Sequence, residues 1–413
     1  MISYKQAINK LKKFHLSTKS ETIFSKDSLY RICTENIYSR LNYPASDNSA
    51  FDGFAINSTE TKKASENNKI KFKILKTIAA GDNPNIKKIQ KNSCIEVMTG
   101  AVINKPFDTI VPYEKSKVIK IKNFNYLIID KKIKKFNNLR LAGSDYKKGQ
   151  LVIKKGDIIK PSDILVLKTL GIKHVKVKKK IKIIFFATGN EITNQENIPN
   201  WKVRNSNGIY IKSFSKILPL EIKEKSILRD KDERKFLRQL KENIKDKIDI
   251  IITIGAVSAG KYDYVPKIIK KIKGNGYFKG VKIRPGKPIL FSKLSPDTAF
   301  FGLPGNPVST AACFRFFVLP FIFSSIGYLG NTSIKAKLKN KFQKKKDFTR
   351  FIKGKITVSN KGQLEFEVLK GQESFKLKPL AKSNMWGQFN NGQTTFKKGD
   401  LIDCYTTFGV NFL

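Results

Sequence analysis

Ile181-Lys182-Ile183-Ile184-Phe185-Phe186-Ala187-Thr188-Gly189-Asn190-Glu191 decides how this chain folds. An apolar, β-branched and aromatic run of this length, stopped by a glycine, reads as a strand buried on both faces. Three further apolar runs follow, over 221–228, 248–254 and 298–302, and helical patterns occupy 205–217, 232–247, 264–273 and 307–325. Strands alternating with helices specify a parallel sheet covered on both sides, a three-layer α/β module. Turns of small residues lie at the ends of these runs: Thr188-Gly189-Asn190-Glu191, Gly255-Ala256-Val257-Ser258-Ala259-Gly260, Pro285-Gly286-Lys287-Pro288 and Gly302-Leu303-Pro304-Gly305-Asn306-Pro307. Open α/β sheets bind ligands at the carboxyl ends of their strands. Glycine there lets backbone N–H groups approach a phosphate, and a following helix N-terminus adds partial positive charge. A phosphate-bearing substrate is the first expectation.

Outward from this module the pattern changes. Residues 1–25 read as a helix, with Tyr4, Ala7, Ile8 and Leu11 at helical spacing, and then a polar connector. Short strands and turns fill 26–140, at 70–77, 93–98, 109–112, 118–121 and 126–129, which predicts a mostly β lobe. A strand near 151–153 and a helix from Ser162 to Gly171 follow. The last 85 or so residues return to short strands with turns at Asn360-Lys361-Gly362, Asn391-Gly392 and Lys398-Gly399-Asp400, as in a small β-barrel or sandwich. The expected division is 1–25 with 141–178, then 26–140, 179–327 and 328–413.

Composition narrows the function. The 40% hydrophobic and 28% charged content of these 413 residues describes a globular protein with a substantial core. The first 25 residues carry Lys10, Lys12, Lys13 and Lys19 and no apolar run of the signal-peptide kind, while Arg315 and Pro320 interrupt the most apolar stretch, 311–326, which reads as too short for a bilayer. No membrane and a cytoplasmic location are expected. Cys33, Cys94, Cys313 and Cys404 lie far apart and read as buried free thiols; with only His15 and His174 beside them there is no ligand set for zinc or haem, nor a nucleophilic triad. The net charge of +48 suggests nucleic acid, yet only ten of the 81 basic residues are Arg. A nucleic-acid groove favours Arg for bidentate contacts, whereas Lys-rich surfaces also rich in Asn and Ile point to compositional drift. Nucleic acid is not the expected partner, though the charge steers anions inward.

Several acidic residues stand near the turns: Asp145 in Ala142-Gly143-Ser144-Asp145, Glu191 after the first strand, Asp230 after the second, and Asp263 past the Gly255–Gly260 loop. Carboxylates beside a phosphate repel it unless a hard cation bridges them, so Mg²⁺ is implied. Arg284 and Lys287 flank Pro285-Gly286 in a turn stiffened by two prolines, which suits a tetrahedral oxyanion, and Ser258 either adds a hydroxyl donor or caps the next helix. There is no Walker A sequence, and Gly-x-Gly-x-x-Gly does not follow the first strand.

Taken in order, DNSAFDGFA (47–55), VMTGA (97–101), AGSD (142–145), ATGNE (187–191), GAVSAGKYDY (255–264), RPGKP (284–288) and GLPGNPVS (302–309) give the chain its family signature. It resembles, over nearly its whole length, the molybdopterin molybdenumtransferase family of MoeA and gephyrin E-domain proteins. The resemblance implies an elongated four-domain homodimer whose active site forms between the third domain and the partner subunit's second domain. It implies insertion of molybdate into adenylylated molybdopterin, with Mg²⁺-dependent release of AMP, and a molybdopterin adenylyltransferase as the upstream partner. By the same resemblance Asp52, Thr99, Asp145, Glu191, Asp230 and Asp263 are catalytic positions, and Glu191, Asp230 and Asp263 hold the metal. Ser258, Arg284, Lys287, Gly305 and Asn306, and more loosely Arg350 and Ser374, bind substrate or anion. The chain departs from the family pattern at Asn190, where an acidic residue is usual, at Ala256, where a glycine is usual and the added methyl is expected to narrow the loop, and at Arg284, where many members have Lys.

Two rivals remain at this level. A molybdopterin adenylyltransferase uses a similar α/β module but needs only 175–330, which the extra lobes argue against. A scaffold or nucleic-acid binder has no use for carboxylates clustered beside phosphate turns.

Overall fold

The computed structural model describes residues 1–257, 264–328 and 332–408. Its centre is the α/β module: β1 (Ile181–Thr188), α1 (Ser206–Ser213), β2 (Leu220–Leu228), α2 (Glu233–Lys245), β3 (Ile250–Ile254), α3 (Val265–Lys271), β4 (Asn275–Lys279), β5 (Leu290–Lys293), β6 (Ala299–Leu303) and the long helix α4 (Pro307–Ile326). The six strands lie in the order β2-β1-β3-β6-β5-β4. The first four are parallel, as their apolar runs require. The last two, β5 and β4, are antiparallel and were not foreseen. Their segment, 275–293, is broken by Gly276, Gly280, Pro285, Gly286 and Pro288, so neither piece is long enough to stand out as an apolar run.

Alternation along β1 builds the three layers. Ile181, Ile183 and Phe185 point to one face, where Ile211 of α1 and Ala311 and Phe314 of α4 cover them. Ile184 and Phe186 point to the other, against Phe236 and Leu240 of α2 and Ile268 and Ile269 of α3. Each such side chain, fully withdrawn from water, contributes about 1.5–3 kcal/mol. Gly208 of α1 lies so close to Phe185 that a Cβ there would stand 2.5 Å from Cε2 and 2.8 Å from Cζ of a ring that is 1% exposed. Gly208→Ala is therefore expected to lose stability although alanine is the better helix former. The propensity gain of about 1 kcal/mol is outweighed by an overpacking cost of about 1–3 kcal/mol. A lower denaturation midpoint checks it; a raised midpoint contradicts the packing.

Helix α4 contains a π segment at Phe314–Val318. Pro320 has no N–H to donate to the carbonyl of Phe316, and the hydroxyl of Tyr4 reaches that carbonyl instead, at 3.5 Å. At 20 residues α4 is long and apolar enough, by length and composition, to cross a membrane, so the expectation that this stretch is too short does not hold. What marks it as a core helix is burial: 83% of its most apolar window is enclosed by protein.

The N-terminal helix, Tyr4–Leu11, starts with a capping box in which Gln6 N donates to Ser3 Oγ at 3.2 Å and Ser3 N to Gln6 Oε1 at 2.8 Å. Its buried Ala7 and Leu11 join the same cluster as β1. Beyond it, where a polar connector was expected, Ser20–Phe24 forms a strand antiparallel to His174–Lys178. A six-stranded sheet then runs Thr109–Pro112, Gly53–Ile56, Ser93–Val97, Ile70–Ile78, Phe124–Ile129, Lys117–Ile121 in spatial order. At the other end, Thr349–Val358 pairs with both Leu364–Val368 and Met385–Phe389, so the C-terminal sheet closes into the small barrel expected there. Ile283–Arg284, from the loop between β4 and β5, adds to that sheet in parallel with Thr349–Arg350. All four cysteines are free and buried.

Candidate active site

The carboxyl ends of β1, β2, β3 and β6 converge on a cavity of about 550 Å³. Cross-strand bonds continue into the turns: Gly189 N donates to Leu228 O at 3.0 Å, and Gly255 N to Leu303 O at 2.8 Å. The Thr188 hydroxyl donates to Ile254 O at 2.9 Å. Gly255 has φ +95°, and a Cβ on it would stand 2.5 Å from Thr188 Oγ1, so only glycine lets these two strand ends meet. Ala256 beside it also has a positive φ of 52°. The methyl group at 256, which lines the cavity, thus does more than narrow the loop: it puts an L-residue in a conformation costing about 1–2 kcal/mol.

Two helices start at this cavity. Asn205 caps α1, its side chain accepting from Gly208 N at 3.3 Å, and Asn306 precedes Pro307 at the start of α4. Asn207 Nδ2 donates to Gly305 O at 2.6 Å and so ties the two starts together. Partial positive charge converges here from both helices, as a phosphate requires, while at the α4 start Pro307 has no N–H and Val308 N donates to Ser374 O at 3.4 Å.

Glu191 and Asp230 both line the cavity, on the turns after adjacent strands. Asn190, between Gly189 and Glu191, donates from Nδ2 to Asp230 Oδ2 at 2.8 Å, and its Oδ1 accepts from Asp230 N at 3.3 Å. Arg229 Nη1 donates to the carbonyls of Gly189, Asn190 and Ile192 at 3.0, 3.2 and 2.9 Å. Ser258 and Asp263 lie outside the described residues. Among the described residues no three potential metal ligands gather at one point. Glu191 and Asp230, the two described carboxylates on the cavity wall, are oxygen donors of the kind Mg²⁺ takes when substrate phosphates complete its shell.

The expected cations form a second group, off the cavity wall. Arg284 and Arg350 are register neighbours across Ile283–Arg284 and the first residues of Thr349–Val358. Burial first, and Arg284 second, hold the Arg350 guanidinium below its ordinary proton affinity. Its Nε is buried without a hydrogen-bond partner, and among the described residues neither arginine has an ion pair. Gly286 packs beside Cys313 of α4, Lys287 is exposed, and Pro288 reaches the cavity wall. Ser374 Oγ accepts from Asn306 Nδ2 at 3.2 Å, which links the C-terminal segment to the α4 start.

Comparison with known proteins decides the family. Residues 2–171 match the MoeA N-terminal region (domain I and II), 184–324 the probable molybdopterin binding domain, and 335–407 the MoeA C-terminal region (domain IV). The molybdopterin molybdenumtransferase of Staphylococcus aureus (strain Mu50) is 33% identical over 410 residues, covering 98% of this chain and 96% of its own length. The chain belongs to the molybdopterin molybdenumtransferase family. The Staphylococcus epidermidis (strain RP62A) protein of that name is 32% identical over 415 residues, covering 100% of this chain and 97% of its own. The fold agrees as well: a molybdopterin biosynthesis MoeA protein from Pyrococcus horikoshii superposes with a TM-score of 0.80 at 23% identity, over 98% of this chain and 99% of that one.

Not every family motif reaches the cavity within one subunit. Asp52 and Thr99 meet each other on the N-terminal sheet, where Thr99 N and Oγ1 both donate to Asp52 Oδ1, at 2.6 and 2.7 Å. Asp145 is exposed, its backbone N–H held by Tyr43 O at 3.1 Å. None of the three lines the cavity. The Thr99 backbone N–H, and then its hydroxyl, hold the Asp52 carboxyl below its usual range. Such an acid contributes stability above its unfolded pKa and loses it as pH falls through the lower folded value. A carboxyl ¹³C titration of Asp52 is expected to give a midpoint below the usual value of about 4. A midpoint at or above it removes the Thr99 bonds. Sequence reading missed Asn205, Asn207 and Arg229. Asn205 was legible as a cap signal, Asn205-Ser206, before a helix; Asn207 and Arg229 carried no signal, because their role is to bond backbone carbonyls that only the fold brings within reach.

Proposed function

We propose that this protein inserts molybdate into adenylylated molybdopterin, releasing AMP and yielding molybdenum cofactor. Family membership makes it a transferase of molybdenum cofactor biosynthesis. The observation that carries the site assignment is the convergence of two helix starts and the Gly189, Gly255 and Gly305 turns on one cavity that also holds Glu191 and Asp230.

The pterin dithiolene brings its own sulfur nucleophiles, so the protein's work is positioning and electrostatics. The backbone amides at the starts of α1 and α4 receive the phosphates. Glu191 and Asp230 are the residues to hold Mg²⁺, which when bound supplies charge neutralisation at the phosphates. Asp263 remains a third candidate for that ion. Arg284, Arg350 and Lys287, with Ser374 and Ser258, receive molybdate as a dianion. Asp52, Thr99 and Asp145 are read as the second subunit's contribution in a homodimer, supported by their absence from the cavity wall of their own chain. An adenylyltransferase upstream supplies the adenylylated pterin, and the setting is the cytoplasm. The chain divides into four domains, 1–25 with 141–178, 26–140, 179–327 and 328–413.

AMP release by the purified protein tests the reading. With adenylylated molybdopterin and molybdate, AMP is expected to appear in step with the ability of the product to activate a molybdoenzyme apoprotein. Adenylylated product formed from molybdopterin and ATP, with no response to molybdate, overturns it in favour of an adenylyltransferase.

A further inference from the structure

Asn190 occupies the turn between the cavity's two described carboxylates, and its bonds leave it little freedom. Its backbone carbonyl accepts from Lys202 Nζ at 2.6 Å and from Arg229 Nη1 at 3.2 Å. Its side chain spans to the next strand end, donating to Asp230 Oδ2 at 2.8 Å while accepting from Asp230 N at 3.3 Å. Only an amide of this length serves both contacts. An aspartate could accept from the N–H but would set one carboxylate against another, and like charges at that separation bind a proton or a cation. The Glu191 carboxylate is already folded back over the same turn, against Gly189, where any added Cβ would collide with it.

We propose that Asn190 positions Asp230 and sets the charge of the cavity. Its amide occupies one direction of Oδ2 and fixes the carboxylate plane. It also keeps the described carboxylates on the cavity wall at two, Glu191 and Asp230. A third carboxylate at this position would repel a phosphate more strongly while no divalent ion is bound. This rests on the reading of the cavity as the phosphate site.

The test uses the full chain and two probes, Mn²⁺ followed by electron paramagnetic resonance as a stand-in for Mg²⁺, and AMP in the presence of a chelator followed by calorimetry. Asn190→Asp is expected to bind Mn²⁺ about tenfold or more tightly than the unmodified chain, because charge count tunes such sites. It is also expected to bind chelator-treated AMP more weakly by about the same factor. Asn190→Ala frees Oδ2 without adding charge and is expected to gain no more than about threefold in Mn²⁺ affinity. Should Asn190→Asp fail to fold, the exchange N190D/D230N keeps both the contact and the charge count. It is expected to melt close to the unmodified chain with Mn²⁺ affinity within about threefold of it. The proposal is overturned if Asn190→Asp binds Mn²⁺ no more tightly than Asn190→Ala, or if the exchange variant melts far below the unmodified chain. Neither probe contains pterin or molybdate, so those outcomes leave the transferase reading intact. An unmodified chain with no affinity for AMP counts against the cavity reading, while the Mn²⁺ comparison still decides the role of Asn190.

Discussion

Glu191→Gln is expected to leave the fold intact and to lower AMP release at least 100-fold, the scale of removing one group that acts on developing charge. The side chain is exposed at the mouth of the cavity, so exchanging one carboxylate oxygen for an amide changes no core contact. Surface changes of this kind shift stability by about 0.5 kcal/mol or less. What is lost is half of the described pair of carboxylates able to hold a divalent ion beside the phosphates. The measurement is AMP release and reconstitution of a molybdoenzyme apoprotein, with near-ultraviolet circular dichroism as the folding control. Unchanged reconstitution removes Glu191 from the site.

Arg350→Met carries the second large effect, and its two arms have opposite signs. Arg350 is partly buried beside Arg284, with no ion pair for either among the described residues, so the two guanidinium groups repel each other while no anion is bound. Replacing a poorly compensated cation by an apolar side chain of similar length is neutral or stabilising. In anion-free buffer the variant is therefore expected to melt at the same temperature or higher. With tungstate or molybdate added, the unmodified chain is expected to gain thermal stability and the variant to lose that gain, with KM for molybdate raised about 10–100-fold, as for one charge-assisted contact. A variant that melts lower without anion yet responds fully to tungstate makes Arg350 structural and moves molybdate elsewhere.

The strands and helices of the α/β module were legible because each parallel strand had to be apolar on both faces, as Ile181–Thr188 and Ile250–Ile254 are. Antiparallel β4 and β5 were not, since glycine and proline cut their segment into pieces shorter than the signal. The pairing of Ser20–Phe24 with His174–Lys178 was equally hidden, because both strands expose alternate polar residues and their partnership spans 150 residues of sequence. For the site, strand-ending turns followed by acidic residues pointed to Glu191 and Asp230. The partnership of Asn190 with Asp230 could not be read, as it depends on the register that places Thr188 opposite Leu228. The conformational load on Ala256 likewise appears only once its φ is known.

The central claim is that the turns at the ends of β1, β2, β3 and β6 hold the phosphates while cations nearer the barrel hold the metal oxyanion. Crystals soaked with adenylylated molybdopterin and tungstate, the heavier stand-in for molybdate, test it most directly. The account predicts phosphate density at the starts of α1 and α4 beside Glu191 and Asp230, and anomalous density for tungsten within reach of Arg284 and Arg350. Phosphate density on the N-terminal sheet, or tungsten at a site lined by neither arginine, contradicts it.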